Sequence, residues 1–206
     1  MPPMVWSHLP SNPVGDFETR HRTPEGGALL AWALSCVEAL HYLVDFDATY
    51  DATRLMPGEH SGAVIDVAHA RWATGTSVTA LDLCAAAFGR AYCKHAGPIE
   101  LDLGSFLTSG SKKQRSRWSA LPAGAQQWLT AVNTDPAFAE LKAVRDALTH
   151  RRLPRRIYAS VGSPLPDPRL DIQVGSSLKP VGQIVLEACK VSTEHVVALI
   201  AILPSI

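Results

Sequence analysis

Residues 135–156, DPAFAELKAVRDALTHRRLPRR, combine the signals of an amphipathic helix with a cluster of charged side chains. Asp135 is a residue type that caps helices, and Pro136 suits the first helical position because its missing N–H needs no partner there. Pro154 cannot continue a helix, so we expect the helix to end within residues 149–152. Apolar residues recur at helical spacing between these limits, at Phe138, Leu141, Val144 and Leu148.

The last turns of this helix carry Arg145, Asp146 and His150. The pattern, an Arg followed by a polar residue with His five positions after the Arg, resembles the Rx4-6H motif of the HEPN superfamily of small helical-bundle proteins. The resemblance covers roughly residues 26–203, as architecture more than as matched residues. It implies a homodimer in which two motifs meet, metal-independent cleavage of RNA, and catalytic roles for these three residues.

The chemistry of the three side chains agrees with that implication. Cleavage of RNA without a metal needs groups that move protons at the 2′-hydroxyl and at the leaving 5′-oxygen, and positive charge beside the phosphorane. His150 suits proton transfer because its ordinary pKa lies near 6.5, and Arg145 offers a permanently charged fork that matches two phosphate oxygens. Asp146 is expected to orient Arg145 or His150. The products would be a 2′,3′-cyclic phosphate and a 5′-hydroxyl.

Helical geometry makes a dimer part of this hypothesis. Five residues at about 100° each place Arg145 and His150 roughly 140° apart on an ideal helix. They converge if His150 leaves the helix, or if a second chain supplies one of them. A Tyr two residues after the His, found in HEPN toxins paired with nucleotidyltransferase antitoxins, is replaced by Arg152, so that pairing is not expected and the identity of any antitoxin stays open.

Charge is distributed unevenly along a neutral chain. The first sixty residues hold eight acidic and three basic residues, whereas residues 112–156 hold ten basic and three acidic ones. We read residues 109–118 as a basic loop and expect it to form, with the basic run after the motif, a surface that binds RNA phosphates. The expected nucleic-acid-binding residues are Lys112, Lys113, Arg115, Arg117, Arg151, Arg152, Arg155 and Arg156.

The rest of the chain predicts a mainly α fold, an HEPN-like bundle of four or five helices with a β-hairpin before the last helix. Residues 1–24 are predicted to be an irregular arm and residues 25–206 a single domain. We expect one helix from Pro24, capped by Thr23, to about residue 47, and another, kinked at Gly75, over about 61–94. The hairpin is expected at about 156–175, and a final helix from Pro180.

Composition bounds the remaining classes of function. The 206 residues are 47% hydrophobic and 18% charged, which is ordinary for a globular protein. No metal site or cofactor is expected, because the eight histidines show no HxxxH spacing and the four cysteines no CxxC spacing. No secretory signal was found and the apolar run at 196–203 is too short to span a membrane, so we expect a cytoplasmic protein without membrane contact. Glu38 and His41, three residues apart, are expected to be a hydrogen-bonded pair at the core's edge.

Three functions fit these observations. The first is a dimeric HEPN-type ribonuclease, with a toxin or defence role by analogy to the family. The second is a non-catalytic HEPN-like module that binds nucleotide or nucleic acid through the same Arg and His. The third is a structural helical dimer in which Arg145 and Asp146 form an ordinary ion pair and His150 is a cation at a helix C-terminus.

Overall fold

The fold is described from a computed structural model, for residues 12–53, 60–93, 102–149, 171–174 and 177–206. Seven α-helices lie in these ranges. They are α1 (Pro13–His21), α2 (Pro24–Thr53), α3 (His60–Tyr92), α4 (Lys112–Ala120), α5 (Ala123–Thr134), α6 (Pro136–Thr149) and α7 (Val181–Ile202). The expectation of a mainly helical protein is confirmed.

The two longest helices and the last one form the centre of the structure. Helices α2 and α3 pack along each other and both contact α7, while α6 packs against α3 and α7. The aromatic rings of Phe17, Phe88 and Trp128 meet edge to face in the core, with centroid separations of 6.5 Å and 5.7 Å. Buried hydroxyls of Ser192 and Ser77 join α7 to α3 through a 2.7 Å hydrogen bond.

Two predicted helix starts are confirmed by their caps. The Thr23 hydroxyl accepts a hydrogen bond from the Gly26 N–H at 3.1 Å and opens α2, and the Asp135 carboxylate accepts one from Ala137 at 2.8 Å and opens α6. Helix α2 continues beyond residue 47 to Thr53, and α3 runs through Gly75 without interruption. Tertiary packing on α7 offsets the cost of about 1 kcal/mol for a glycine in a helix.

The prediction of an irregular arm is wrong for residues 13–21, which form α1. Asn12 caps this helix by accepting a hydrogen bond from the Gly15 N–H at 3.0 Å, and Pro13 takes the first position. Phe17 is buried in the core. Arg20 then anchors α1 to the 3-10 turn Leu203–Ser205, because its guanidinium donates to the carbonyl oxygens of Leu203 and Pro204 at 3.0 and 2.8 Å.

The prediction of a basic loop at 109–118 is also wrong, because Lys112–Ala120 is helix α4. Ser111 and Gln114 form a capping box in which each side chain bonds the other's backbone N–H, at 3.3 and 2.7 Å. Such reciprocal caps satisfy two of the donors that a helix start leaves without partners. Helix α4 has no buried residue, so its caps and its ties to neighbouring turns hold it in place.

A two-stranded antiparallel ribbon precedes α7. Strand β1 (Asp171–Val174) pairs with β2 (Ser177–Pro180), Ile172 lying opposite Lys179. The first strand of the predicted hairpin, at 156–161, lies outside the described residues, so that hairpin stays a prediction. Helix α7 begins at Val181 after Pro180, as expected.

Helix α2 contains the one described segment, Pro24–Tyr50, that is long and apolar enough to cross a membrane by length and composition. The most apolar 18-residue stretch of this segment has a mean hydropathy of 1.5, and 39% of that stretch is buried inside the protein. The same properties occur in core helices of soluble proteins and in signal sequences. The expectation of no membrane contact therefore stays a prediction.

Candidate functional site

Helix α6 presents the first part of the sequence motif to solvent. Its apolar residues Phe138, Leu141, Val144 and Leu148 are all buried, so the helix is fixed along one side. This orientation leaves the Arg145 side chain 29% exposed and the Asp146 side chain 51% exposed. The prediction of an amphipathic helix with these four residues on its buried side is confirmed.

Arg145 and Asp146 form a close ion pair. The Nε and Nη2 atoms of Arg145 donate to the same carboxylate oxygen of Asp146, at 3.0 and 2.7 Å. These contacts use two of the five N–H donors of a guanidinium. Asp146 therefore orients Arg145, as expected, and does so within one chain.

The C-terminal end of α6 is held by a residue of α3. The Arg71 Nη2 atom donates to the carbonyl oxygen of Leu148 at 2.6 Å, which satisfies one of the acceptors that a helix end leaves open. A cation at this end also interacts favourably with the helix dipole. Arg71 thus places a second positive charge two residues before His150.

Asp82, also on α3, is a partly buried carboxyl whose pKa is influenced by the charges of Arg145 and Lys142 on the motif helix. Burial raises its pKa, and the hydrogen bond from the Leu103 N–H at 3.0 Å and the positive charges of Arg145 and Lys142 act against that rise. The net pKa of Asp82 lies above its ordinary value. The sequence analysis did not find Arg71 or Asp82, although charged residues in an otherwise apolar helix were a signal for both.

A chain of hydrogen bonds connects the basic helix α4 to this region. The Asp82 carboxylate holds Leu103 in the 3-10 turn Leu103–Ser105. The Gly104 carbonyl in that turn accepts a 2.6 Å hydrogen bond from the side-chain amide of Gln114 in α4. The start of α4 is therefore joined through the 3-10 turn to Asp82, and the charge of Arg145 lowers the pKa of that carboxyl.

Helix α4 displays most of the predicted phosphate-binding residues of its segment. Lys112, Lys113 and Arg115 are exposed and Arg117 is partly buried. The Arg115 Nη1 atom donates to the Gly110 carbonyl at 2.5 Å. The structure describes only the part of the expected basic surface that lies on α4. The remaining predicted residues lie outside the described residues: His150, Arg151, Arg152, Arg155 and Arg156.

The start of α6 is fixed by a pair that the sequence analysis missed. The His195 Nε2 atom on α7 lies 2.8 Å from the Asp135 carboxylate. Burial alone would raise the pKa of Asp135, but hydrogen bonds from His195 and from the N–H groups of Ala137 and Phe138 outweigh it, and that pKa lies below its ordinary value. Asp135 therefore both caps the helix and joins it to α7.

The middle of α6 is held by a second ionic cluster. The Lys179 ammonium on β2 contacts the carboxylates of Glu140 and Glu187, each at 2.8 Å. Burial lowers the pKa of Lys179, yet the two carboxylates more than reverse that effect, so its pKa is raised. Three elements thus position α6 by polar contacts: α3 at its end, β2 in the middle and α7 at its start.

The expected pair of Glu38 and His41 is wrong for the described structure, in which Glu38 is exposed and His41 has a different partner. His41 contacts the Thr193 hydroxyl at 3.1 Å, and burial lowers its pKa against the opposing charge of Asp45. Among the described residues, no group of three or more His, Cys, Asp or Glu side chains could hold a metal ion. The four cysteines are free thiols, and burial raises the pKa of each.

The described residues therefore place the Arg145–Asp146 ion pair on α6 and three exposed cations, Lys112, Lys113 and Arg115, on α4. Comparisons of the chain with protein-family models, with curated proteins and with solved structures find no match.

Proposed function

We propose that the protein is a dimeric, metal-independent endoribonuclease of the HEPN type. The observation that carries the proposal is the Arg145–Asp146 pair in the last turns of α6: two hydrogen bonds to Asp146 orient Arg145, and His150 follows Arg145 by five positions in the sequence. A guanidinium held in this way has less freedom to lose when it binds a phosphate. The bonds at both ends of α6 support the same role, because they fix the helix that carries the motif.

In the proposed reaction, His150 moves a proton at the 2′-hydroxyl or at the leaving 5′-oxygen. The 2′-oxygen attacks the adjacent phosphorus and the bond from phosphorus to the 5′-oxygen breaks, which leaves a 2′,3′-cyclic phosphate and a 5′-hydroxyl. Arg145 stabilises the charge that develops on the phosphorane oxygens. The exposed cations of α4 hold the flanking phosphates. The motif of a second chain supplies the other of the two proton transfers, because helical spacing alone places Arg145 and His150 of one chain roughly 140° apart.

A non-catalytic module that binds nucleic acid is the second candidate. The observation that favours it is the set of exposed cations on α4, Lys112, Lys113 and Arg115, which can bind phosphates without any proton transfer by His150. The two candidates share the phosphate ligand and differ in whether His150 transfers protons.

Cleavage of a cellular RNA pool in EDTA tests the proposal. We expect the wild type to cut RNA and to leave cyclic phosphates, and we expect His150→Ala to lose about 10²- to 10⁴-fold in rate, as is usual when a general acid or base is removed. Arg145→Ala should lose activity as well. Lys142→Ala is the matched control, since Lys142 is an exposed cation on the same helix and lies outside the motif.

A folded wild type that binds RNA but does not cleave it would favour the non-catalytic module. A wild type that neither binds nor cleaves RNA would leave Arg145 and Asp146 as a structural ion pair. Circular dichroism of each variant confirms that the helices are intact.

A further inference from the structure

The exposed faces of α2 and α3 carry an unusual concentration of large apolar side chains. Trp32, Tyr42 and Phe46 of α2 are 60%, 65% and 59% exposed, and Val64 and Trp72 of α3 are each 58% exposed. Single exposed apolar residues are common, but five large ones on two helices that pack along each other favour an interaction site. We call this surface the α2–α3 face.

The part of the face on α2 is a regular uncharged strip. Its members follow one another at intervals of three and four residues: Trp32, Ser35, Ala39, Tyr42, Phe46 and Thr49. This alternation is the heptad spacing that keeps one side of a helix against a partner helix. At 1.5 Å per residue the strip is about 25 Å long.

The hydroxyls of Ser35 and Thr49, two polar members of that strip, are already satisfied within α2. The Ser35 hydroxyl donates to the Ala31 carbonyl at 3.1 Å, and the Thr49 hydroxyl donates to the Asp45 carbonyl at 2.8 Å. Burying a hydroxyl costs much less free energy when it keeps its hydrogen bond. When an apolar surface covers the strip, the hydroxyls of Ser35 and Thr49 therefore keep their acceptors.

The same face contains a groove beside its protruding aromatic side chains. The groove has a volume of about 270 Å³, whereas a cavity of about 150 Å³ is sufficient to bind benzene. Its floor includes Gly75, whose missing side chain leaves open space. Its lining residues are Cys36, Arg71, Trp72, Gly75, Thr76 and Thr79.

We propose that the α2–α3 face is the surface through which two copies of this chain pair about a two-fold axis. An interface of that symmetry must be self-complementary, because each copy presents the same patch. This face meets the requirement, since it offers both aromatic knobs and a groove that accepts them. Binding to a lipid surface would require the exposed aromatic side chains but would not require the groove.

The exposed area agrees with a dimer of ordinary size. Four aromatic side chains that bury about 150–250 Å² each when covered, and that are about 60% exposed here, contribute roughly 350–600 Å². A standard interface buries about 800 Å² per partner, and the small residues of the two helices supply the remainder.

The face also adjoins the motif. Arg71 lines the groove and donates to the carbonyl oxygen of Leu148 at 2.6 Å, two residues before His150. Pairing through the α2–α3 face would therefore bring the residue that holds the end of α6 to the dimer interface. The inference rests on the dimer in the proposed function and specifies its surface.

The molar mass of the full chain in solution tests the inference. By light scattering at tens of micromolar, the wild type should have twice the 22.2 kDa mass of one chain. Tyr42→Arg and Trp72→Arg should each raise the dimer dissociation constant at least about 30-fold, as expected when a buried aromatic anchor is lost. Leu186→Arg is the matched control, since Leu186 is 53% exposed on α7, and this variant should remain dimeric.

Gly75→Leu provides a second variant that acts through the groove. Its side chain enters open space within its own chain, so it should fold normally, as judged by circular dichroism, and should be monomeric. A monomeric wild type would overturn the inference, and flotation of that monomer with phosphatidylcholine vesicles would assign the face to lipid. Dimers that persist in all three face variants would overturn it too. A dimeric wild type that does not cleave RNA would leave the inference intact and refute only the nuclease.

Discussion

The guanidinium of Arg71 and the carbonyl oxygen of Leu148, 77 residues apart in the chain, are joined by a 2.6 Å hydrogen bond. The bond ties the middle of the longest described helix to the end of the helix that carries Arg145 and Asp146. One partner, Arg71, lines the groove of the α2–α3 face, and the other, Leu148, precedes His150 by two positions in the sequence. This single contact therefore links stability, pairing and the candidate active site.

Removal of this contact should weaken both the fold and the activity. Arg71→Ala leaves the Leu148 carbonyl at the helix end without its charged donor. We expect the free energy of unfolding to fall by about 1 kcal/mol. This is less than a buried hydrogen bond to a charged group contributes, because the site is partly exposed. Urea denaturation measures the change. Arg71→Lys keeps a cation at the helix end and should lose less. Equal stability of Arg71→Ala and the wild type would contradict this role.

The cap of α6 should give the protein a dependence on acid. The folded pKa of Asp135 lies below its ordinary value, so its contribution to stability is fully present above the unfolded pKa of about 3.9 and is lost as the pH falls through the folded pKa. At pH 7, Asp135→Ala should cost about 1 kcal/mol or more, because it removes both the cap and the partner of His195.

Asp135→Asn separates these two contributions, since Asn retains a capping oxygen but carries no charge. Urea denaturation of the wild type and of Asp135→Asn should show a difference at pH 7 that shrinks toward pH 3. A difference that stays constant over this range would mean that the charge of Asp135 does not stabilise the fold.

Caps and buried stripes could be predicted from the sequence because they depend on neighbouring residues. Thr23 with Pro24 and Asp135 with Pro136 were identified correctly as helix starts. The same pattern at Asn12 and Pro13 was missed, since the surrounding prolines suggested an irregular arm. The reciprocal cap before Lys112–Ala120 was missed because its run of charges resembled a loop.

Contacts between distant segments could not be predicted in this way. Arg71, Asp82 and His195 act on α6 from helices that periodicity alone cannot orient. Val64 and Trp72 also lie at helical spacing among the apolar residues of α3, but both are exposed. An apolar strip has the same pattern whether it faces the core or a second chain, so only the packing of the other helices distinguishes them.

RNA affinity should depend on the exposed cations of α4. Each phosphate contact to a single strand contributes about 0.7 to the slope of log affinity against log salt concentration, so replacing Lys112, Lys113 and Arg115 together by Ala should reduce the slope by about 2. The ligand is a 2′-O-methyl RNA, which lacks the attacking hydroxyl. Lys190→Ala, at a 70% exposed lysine on α7, should leave the slope unchanged. An unaltered slope in the triple variant would remove α4 from the RNA-binding surface.

Gly75 should oppose the stability of one chain while favouring the pairing of two. It lies inside α3, and a Cβ atom there would meet nothing within 4 Å, so Gly75→Ala should raise the free energy of unfolding of a monomeric Tyr42→Arg background by about 0.5–1 kcal/mol. Gly27→Ala is the control inside α2, because its Cβ would lie 2.9 Å from the Glu18 Cβ atom, and it should gain less or lose stability. In the otherwise wild-type chain the added methyl occupies the groove, so Gly75→Ala should also raise the dimer dissociation constant. If Gly75→Ala stabilises the monomer and leaves that constant unchanged, the glycine has no role in pairing, and the groove does not receive the second copy.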